Sequence, residues 1–278
     1  MRLRSDRRPG AGPPAYLGIG TIGADTTWFH ALLCKHPQVD GPRGPEASLL
    51  FFDQFCSREM TDEDVARYHA AFPQRPGVLS GEWTSRYVYD AWTPPLLRRA
   101  APDAKLLVLL SDPIVRYARR LAAGRALVES EDEQVFMSDA ANRGRYATQL
   151  RDLFAVFPAE QVLVLQTERF RADPVGQYRR TLRFLGVDEA FVPRRLRRVA
   201  EGRRALHPAE AAAVGLLRLV RGRRREPTPP PVVLWPDLEA ALHDLLDPEI
   251  AALPALVPDV DLSLWPAFAG LSSSRRPS

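Results

Sequence analysis

Lysine is scarce in this chain of 278 residues, although basic residues are plentiful. Of the 38 basic residues, Lys35 and Lys105 are the two lysines, and the rest are arginines. The formal net charge is +4, and much of the arginine lies in two clusters, at 194–204 and 218–225. Neither cluster has aromatic residues interleaved for base stacking, so we do not expect nucleic-acid binding.

Cysteines and long apolar runs are also few. Cys34 and Cys56 cannot build a disulfide framework and lack the spacing of metal ligands, so no metal is expected. The histidines His30, His36 and His69 have no spacing typical of a metal site or a catalytic triad. No run approaches the roughly 18 apolar residues of a membrane span, and the basic N-terminus does not lead into a signal-peptide stretch. These absences favour a cytoplasmic protein.

The length and composition suit one α/β domain with irregular ends, since 45% of the residues are hydrophobic and 26% charged. We expect a flexible N-terminus over residues 1–15, one domain over 16–270 and a disordered tail over 271–278. Within the domain, residues 221–231 are rich in arginine and proline, which predicts a loop.

Apolar runs alternate with helical patterns along the first two thirds of the chain. Continuous apolar runs predict buried strands at 16–20, 105–110 and 161–165. This alternation predicts a doubly wound parallel α/β sheet with helices on both faces and a ligand cleft at the carboxyl ends of the strands. The predicted helices are 26–35, 61–72, 114–123, 144–157, 175–185 and 238–246.

The order of motifs over most of residues 16–187 resembles the sulfotransferase superfamily, whose members move a sulfuryl group from 3′-phosphoadenosine 5′-phosphosulfate (PAPS) to an acceptor hydroxyl or amine. The loop Gly20-Thr21-Ile22-Gly23-Ala24-Asp25-Thr26-Thr27 resembles the family's phosphosulfate-binding loop. Residues 81–87, Gly-Glu-Trp-Thr-Ser-Arg-Tyr, resemble the Gly-Glu-Lys-Thr-Pro-x-Tyr segment of the glycan and bacterial branches. Residues 110–119 resemble the Arg-Asp-Pro-x-x-Arg-x-x-Ser segment that holds the 3′-phosphate.

The resemblance implies a role for each of these segments. It makes Glu82 the catalytic base and places the 5′-phosphosulfate on the loop before the helix. The implied donor-binding residues are Gly23, Ala24, Asp25, Thr26, Thr27, Ser111, Arg116 and Arg119. A helix starting near Thr26 suits this role, because its unpaired N–H groups and positive dipole end face the loop.

Three departures from the family pattern put donor use in question. The loop lysine is replaced by Gly23, and Asp25 stands where the family has glycine. Aspartate is a favoured N-cap, so we expect its carboxylate to take the N–H groups that would face the donor and to weaken donor binding; the alternative is an ordinary cap at a surface turn. In the 3′-phosphate segment, Ser111 stands where the family has arginine, and Arg119 stands where the family has serine. One interpretation is that the two residues bind the phosphate from the opposite side. The other is that Ser111 is an ordinary strand end and Arg119 a solvent-facing helix residue.

Glu82 also has two readings, as a partly desolvated base with a raised pKa or as a structural carboxylate paired with an arginine such as Arg86. Three functions therefore stay open. The first is sulfuryl transfer from PAPS to a small-molecule or sugar acceptor. The second is acid/base chemistry on Glu82 without PAPS, such as a cyclisation, elimination or isomerisation. The third is a non-catalytic binding protein. The arginine-rich composition associates the chain with bacterial specialised metabolism.

Overall fold

The structure is a computed structural model that describes residues 10–44, 48–124, 132–194, 196–197 and 234–273. The arginine cluster 218–225 and the predicted loop 221–231 lie outside the described residues, as does most of the cluster 194–204.

The described residues contain seven strands in two sheets. They are β1 Gly10–Ala11, β2 Tyr16–Gly20, β3 Val39–Asp40, β4 Pro73–Gln74, β5 Leu79–Trp83, β6 Lys105–Leu110 and β7 Val162–Gln166. Strands β1 and β4 form an antiparallel ribbon. The other five form a parallel sheet in the order β3, β5, β2, β6, β7, which confirms the predicted parallel α/β class.

Helices surround this sheet. They are α1 Thr26–Leu33, α2 Asp62–His69, α3 Thr93–Ala100, α4 Pro113–Gly124, α5 Asp132–Asn142, α6 Tyr146–Phe154, α7 Thr167–Ala172, α8 Pro174–Leu185, α9 Pro236–Leu256 and α10 Ala269–Ser273. Helix α2 begins with a capping box, because Asp64 N–H donates to Thr61 Oγ1 and Thr61 N–H donates to the Asp64 carboxylate. None of the helices in the described ranges is long and apolar enough to cross a membrane.

Strand β6 shows why the apolar runs are continuous. Leu106, Val108 and Leu110 pack into a core on one face of the sheet, whereas Leu107 and Leu109 pack into the core on the other. Helix α1 covers the second face and helix α6 the first. Both faces of a parallel sheet are therefore buried, as the sequence predicts.

Two elements differ from their predicted form. Strand β5 is not among the predicted strands, because Gly81 and Glu82 are atypical of a buried strand. Helix α9 runs 21 residues, well beyond the predicted 238–246, and it continues through Pro248 and Pro254. Its buried residues Leu242, Leu246, Ile250 and Leu253 recur at helical spacing against the core, so tertiary packing outweighs the cost of the prolines.

The two ends of the described chain contain regular structure. Gly10 and Ala11, within the segment 1–15, pair with β4, and Ala15 N–H donates to Ser80 O at 2.8 Å. Helix α10 includes residues 271–273 of the expected tail, while 274–278 lie outside the described part of the chain.

Candidate functional site

The loop between β2 and α1 is fixed at the carboxyl edge of the sheet. The backbone N–H and the hydroxyl of Thr21 both donate to Leu109 O, at 2.9 and 3.0 Å. The Thr167 hydroxyl donates to Ala24 O at 3.2 Å. Gly23 has φ +85°, a left-handed conformation that glycine adopts without steric cost. The loop is therefore held between β6 and α7 in one conformation.

The carboxylate of Asp25 does not cap α1, so the expectation that it fills the N–H groups of the first turn is wrong. Asp25 makes no side-chain cap hydrogen bond and has φ 58°. Its Oδ2 instead accepts a hydrogen bond from Arg171 Nη2 at 2.9 Å. The ion pair turns the negative charge toward α7, and the N–H groups at the start of α1 are not taken by this side chain.

The two threonines at the start of α1 have different surroundings. Thr26 is buried, and its Oγ1 lies 2.6 Å from Ser85 Oγ. Ser85 lies two residues after the end of β5, so this bond ties the start of α1 to the segment that follows that strand. Thr27 is exposed, with its side chain open to solvent.

A cavity of about 230 Å³ lies between this loop and helices α4 and α5. Neither Arg116 nor Arg119 forms an ion pair with any residue that the structure describes. Arg143 pairs with Asp139 at 2.6 Å. Four arginines and one carboxylate make the wall strongly basic, which is the charge expected of an anion site. The lining residues are Ile22, Gly23, Arg116, Arg119, Arg120, Asp139, Ala140 and Arg143.

Ser111 is not among the cavity's lining residues. It is buried, and its hydroxyl has no hydrogen-bond partner within the described ranges. Its backbone carbonyl accepts the Tyr146 hydroxyl at 3.0 Å. Of the two exchanged residues, Arg119 therefore lines the basic cavity and Ser111 does not.

Glu82 is fully buried and enclosed by hydrogen-bond donors. Its Oε1 accepts the Tyr68 hydroxyl at 2.6 Å and the Tyr87 hydroxyl at 3.4 Å. Its Oε2 accepts the Thr84 hydroxyl at 2.6 Å and Leu49 N–H at 3.0 Å. Burial raises the pKa of Glu82, and the hydrogen bonds from these donors oppose the rise.

Both sequence-based descriptions of the surroundings of Glu82 need correction. The carboxylate does not stand partly open at the mouth of the sheet, because the segment around Leu49 covers it. It does not pair with Arg86 either. The Arg86 guanidinium donates to Asp90 at 2.9 Å and lies 3.2 Å from Asp53.

The C-terminal segment closes the neighbouring edge of the sheet through two carboxylates, the buried Asp112 and the partly buried Glu168. Trp265 Nε1 donates to Glu168 Oε2 at 2.9 Å, and Ala267 N–H donates to Asp112 Oδ2 at 3.1 Å. Asp112 N–H also donates to Glu168 Oε1, at 3.3 Å. Burial raises the pKa of both Asp112 and Glu168. These bonds join the ends of β6 and β7 to the segment after α9.

The three histidines His30, His36 and His69 each make a polar contact with a residue distant in sequence. His36 Nε2 lies 2.8 Å from Asp188 O, and His69 Nε2 lies 2.6 Å from Ala100 O. His30 Nε2 lies 2.9 Å from the Tyr16 hydroxyl. Across the described ranges, no three histidine, cysteine or carboxylate side chains come together in a way that would hold a metal ion.

Sequence reasoning missed several residues of the basic site. Arg120, Asp139 and Arg143 line the cavity, and Arg171 pairs with the loop. The spacing of Asp139 and Arg143 is that of an i, i+4 ion pair on one helix, which is a weak signal. No local pattern could have placed that helix beside the loop.

Comparison with known proteins relates the chain to sulfotransferases. No family model matches the sequence. It is 29% identical to heparan sulfate glucosamine 3-O-sulfotransferase 6 of Mus musculus, over 67% of this chain and 58% of that protein. It is 28% identical to heparan sulfate glucosamine 3-O-sulfotransferase 3B1 of Mus musculus, over 63% and 46% respectively. The chain thus spans about half the length of the curated relatives it matches.

A solved structure shows the same fold. The sulfotransferase from Alicyclobacillus acidocaldarius superposes with a TM-score of 0.64 over 91% of this chain and 98% of that one, at 23% identity. The parallel sheet and the loop at its carboxyl edge agree with this shared fold, so the chain has the fold of a sulfotransferase and is similar in sequence to sulfotransferases.

Proposed function

We propose that the protein transfers a sulfuryl group from PAPS to a hydroxyl of a sugar or another small molecule. The observation that carries this proposal is the basic cavity beside Gly23, in which Arg116 and Arg119 have no carboxylate partner among the described residues. Arg116 is buried, and a buried guanidinium without a counter-charge is costly, so a bound phosphate would offset that cost. The resemblance assigns this same place to the donor nucleotide.

The residues present fit such a donor. The N–H groups at the start of α1 are not taken by Asp25, and helix N-termini bind anions. The loop from Thr21 to Asp25 would hold the 5′ side of the nucleotide, and Arg119 would hold the 3′-phosphate. Arg119→Ala should then lose a charge-assisted contact of about 1.5–3 kcal/mol.

PAPS supplies the sulfuryl group: the acceptor oxygen forms a bond to sulfur, the bond from sulfur to the 5′-phosphate oxygen breaks, and the acceptor proton leaves to a base. Glu82 is our candidate for that base, because the resemblance gives it that role and burial raises its pKa. Its Oε2 is covered by Leu49 N–H and the Thr84 hydroxyl. An acceptor hydroxyl reaches Oε2 when it takes the place of one of these donors.

The main reason to favour a PAPS-independent reaction is weakened. That reason was a carboxylate filling the anion site from within, and Asp25 pairs with Arg171 instead. The missing lysine at position 23 remains a departure from the family.

The direct test is product formation. The full-length protein is incubated with PAPS and a panel of sugars and small hydroxyl compounds, and products are searched by mass spectrometry for a gain of one sulfuryl group. The proposal expects such a product together with release of adenosine 3′,5′-bisphosphate. Turnover of an acceptor that proceeds equally well without PAPS would contradict it and favour acid/base chemistry.

A further inference from the structure

The side chain of Arg116 passes close to Gly23, the loop position at which this chain has no side chain. A Cβ built on Gly23 would lie 3.1 Å from Arg116 Cγ and 3.8 Å from its Cδ. The distance to Cγ is tighter than an ordinary van der Waals contact, whereas the distance to Cδ is ordinary. The absence of a side chain at position 23 is therefore what lets the stem of Arg116 approach the loop.

The guanidinium of Arg116 is buried without a counter-charge. Arg116 is 3% exposed. Its Nη2 donates to Ala140 O at 2.7 Å, which fixes the side chain between α4 and α5. Its Nε is buried and has no partner in the part of the chain that the structure describes. Buried charged groups are normally paired, so this arrangement is unusual for a structural arginine.

Arg116 and Arg119 have different positions relative to the loop. Both line the basic cavity, but Arg116 is the one that contacts Gly23 and is buried, whereas Arg119 is exposed one turn further along α4. Their separate positions allow them to serve different phosphates of one nucleotide. Grouping both arginines at the 3′-phosphate, as the sequence motif alone does, ignores the contact between Arg116 and Gly23.

We infer that Arg116 supplies the positive charge on the 5′ side of the donor, in place of the lysine that position 23 lacks, and that Arg119 serves the 3′ side. This inference rests on the proposed function. An arginine can take this place because its charge persists at any physiological pH and its N–H groups bind phosphate oxygens directly. Its anchor on Ala140 also holds it in place before the nucleotide arrives, so little side-chain entropy is lost on binding.

The test assigns each arginine to a phosphate with truncated nucleotides. Adenosine 3′,5′-bisphosphate, adenosine 5′-monophosphate and adenosine 3′-monophosphate are titrated calorimetrically into the full-length wild type, Arg116→Gln and Arg119→Gln. We expect Arg116→Gln to weaken the bisphosphate and the 5′-monophosphate about 10- to 100-fold and to leave the 3′-monophosphate within about twofold. Arg119→Gln is the matched control on the same helix, and it should show the reverse pattern.

Because Arg116 is buried, thermal unfolding of each variant is recorded first, and Arg116→Lys serves as a second variant. It keeps the charge, so it should retain the preference for the 5′-phosphate even if overall affinity falls. Equal losses for both monophosphates in Arg116→Gln, or a loss confined to the 3′-monophosphate, would overturn the assignment. So would a loss of the 5′-phosphate preference in a folded Arg116→Lys. Failure of the wild type to bind the bisphosphate would instead overturn the proposed function itself.

Discussion

Asp25 and Arg171 form an ion pair with an N···O distance of 2.9 Å between the donor loop and α7. Both side chains are partly exposed, at 32% and 21%. The pair leaves the N–H groups at the start of α1 free of the aspartate and neutralises a charge that would repel a phosphate. An aspartate in the loop is therefore compatible with anion binding.

The first prediction concerns that pair. Asp25→Asn removes the negative charge and leaves Arg171 beside the loop, so adenosine 3′,5′-bisphosphate should bind several-fold more tightly. Unfolding free energy should fall by less than about 1 kcal/mol, because partly exposed ion pairs contribute little. Isothermal titration calorimetry and urea denaturation measure the two effects.

The control for Asp25→Asn is Glu189→Gln, which removes the carboxylate of another exposed pair, 2.6 Å from Arg183. It should leave nucleotide affinity unchanged. Weaker nucleotide binding by Asp25→Asn would show that the carboxylate helps to hold the ligand, against our account of the loop.

The second prediction concerns the base. Glu82→Gln keeps the size of the side chain but cannot accept a proton, so sulfuryl transfer should slow by about 100-fold or more while the protein stays folded. The matched control is Glu249→Gln. Glu249 is also buried and also accepts a backbone N–H and a threonine hydroxyl, both from Thr148.

The Glu249 control should lose stability without a comparable loss of turnover. If Glu82→Gln turns over PAPS and acceptor at the wild-type rate, Glu82 is a structural carboxylate held by Tyr68 and Thr84, and the proton leaves by another route.

The third prediction is a pH dependence of stability caused by Glu82. Burial raises its pKa in the folded protein, so between its ordinary value and the folded value the native state binds more protons than the unfolded state. This group therefore makes stability fall as pH rises through that window, and the loss is complete above the folded pKa. Glu82→Gln cannot lose this proton.

The difference in unfolding free energy between Glu82→Gln and wild type should accordingly shift in favour of the variant as pH is raised from about 4 toward neutrality. Urea denaturation at several pH values measures it, and the contributions of other carboxylates cancel in the difference. A difference that moves toward wild type would mean that the four hydrogen bonds outweigh burial.

The fourth prediction concerns the C-terminal closure. Trp265→Phe removes the donor to Glu168 and part of a fully buried side chain, so unfolding free energy should fall by about 2–3 kcal/mol. Trp235→Phe is the control, since Trp235 is 53% exposed, and it should change stability by less than about 0.5 kcal/mol. Equal effects of the two substitutions would show that the bond to Glu168 does not hold the segment.

The sequence predicted elements whose pattern is local. Strand β6 is a continuous apolar run because both of its faces are buried, and the Thr61 capping box marks the start of α2. Strand β5 escaped prediction because Gly81 and Glu82 suit it only through their neighbours in the fold. Glu82 is tolerated in that strand because Tyr68 and Thr84 donate to it.

The charges of the site were less predictable, because they depend on contacts between distant residues. Asp25 and Arg171 lie 146 positions apart, so their ion pair leaves no local pattern in the sequence. The local pattern predicts only that Asp25, a favoured N-cap residue, caps α1. The approach of the Arg116 side chain to Gly23 likewise joins the loop after β2 to helix α4. The sequence alone shows that Gly23 replaces the family's loop lysine. That Arg116 reaches the same loop can be seen only in the structure.

The most direct test of the account is a calorimetric titration of the full-length wild type with adenosine 3′,5′-bisphosphate, with adenosine as the control ligand. We predict saturable one-to-one binding with a Kd on the order of 10 μM and at least about 100-fold preference over adenosine, because two phosphates meet unpaired arginines. A Kd above about 1 mM, or equal affinity for adenosine, would contradict the proposal that this cavity holds a sulfuryl donor.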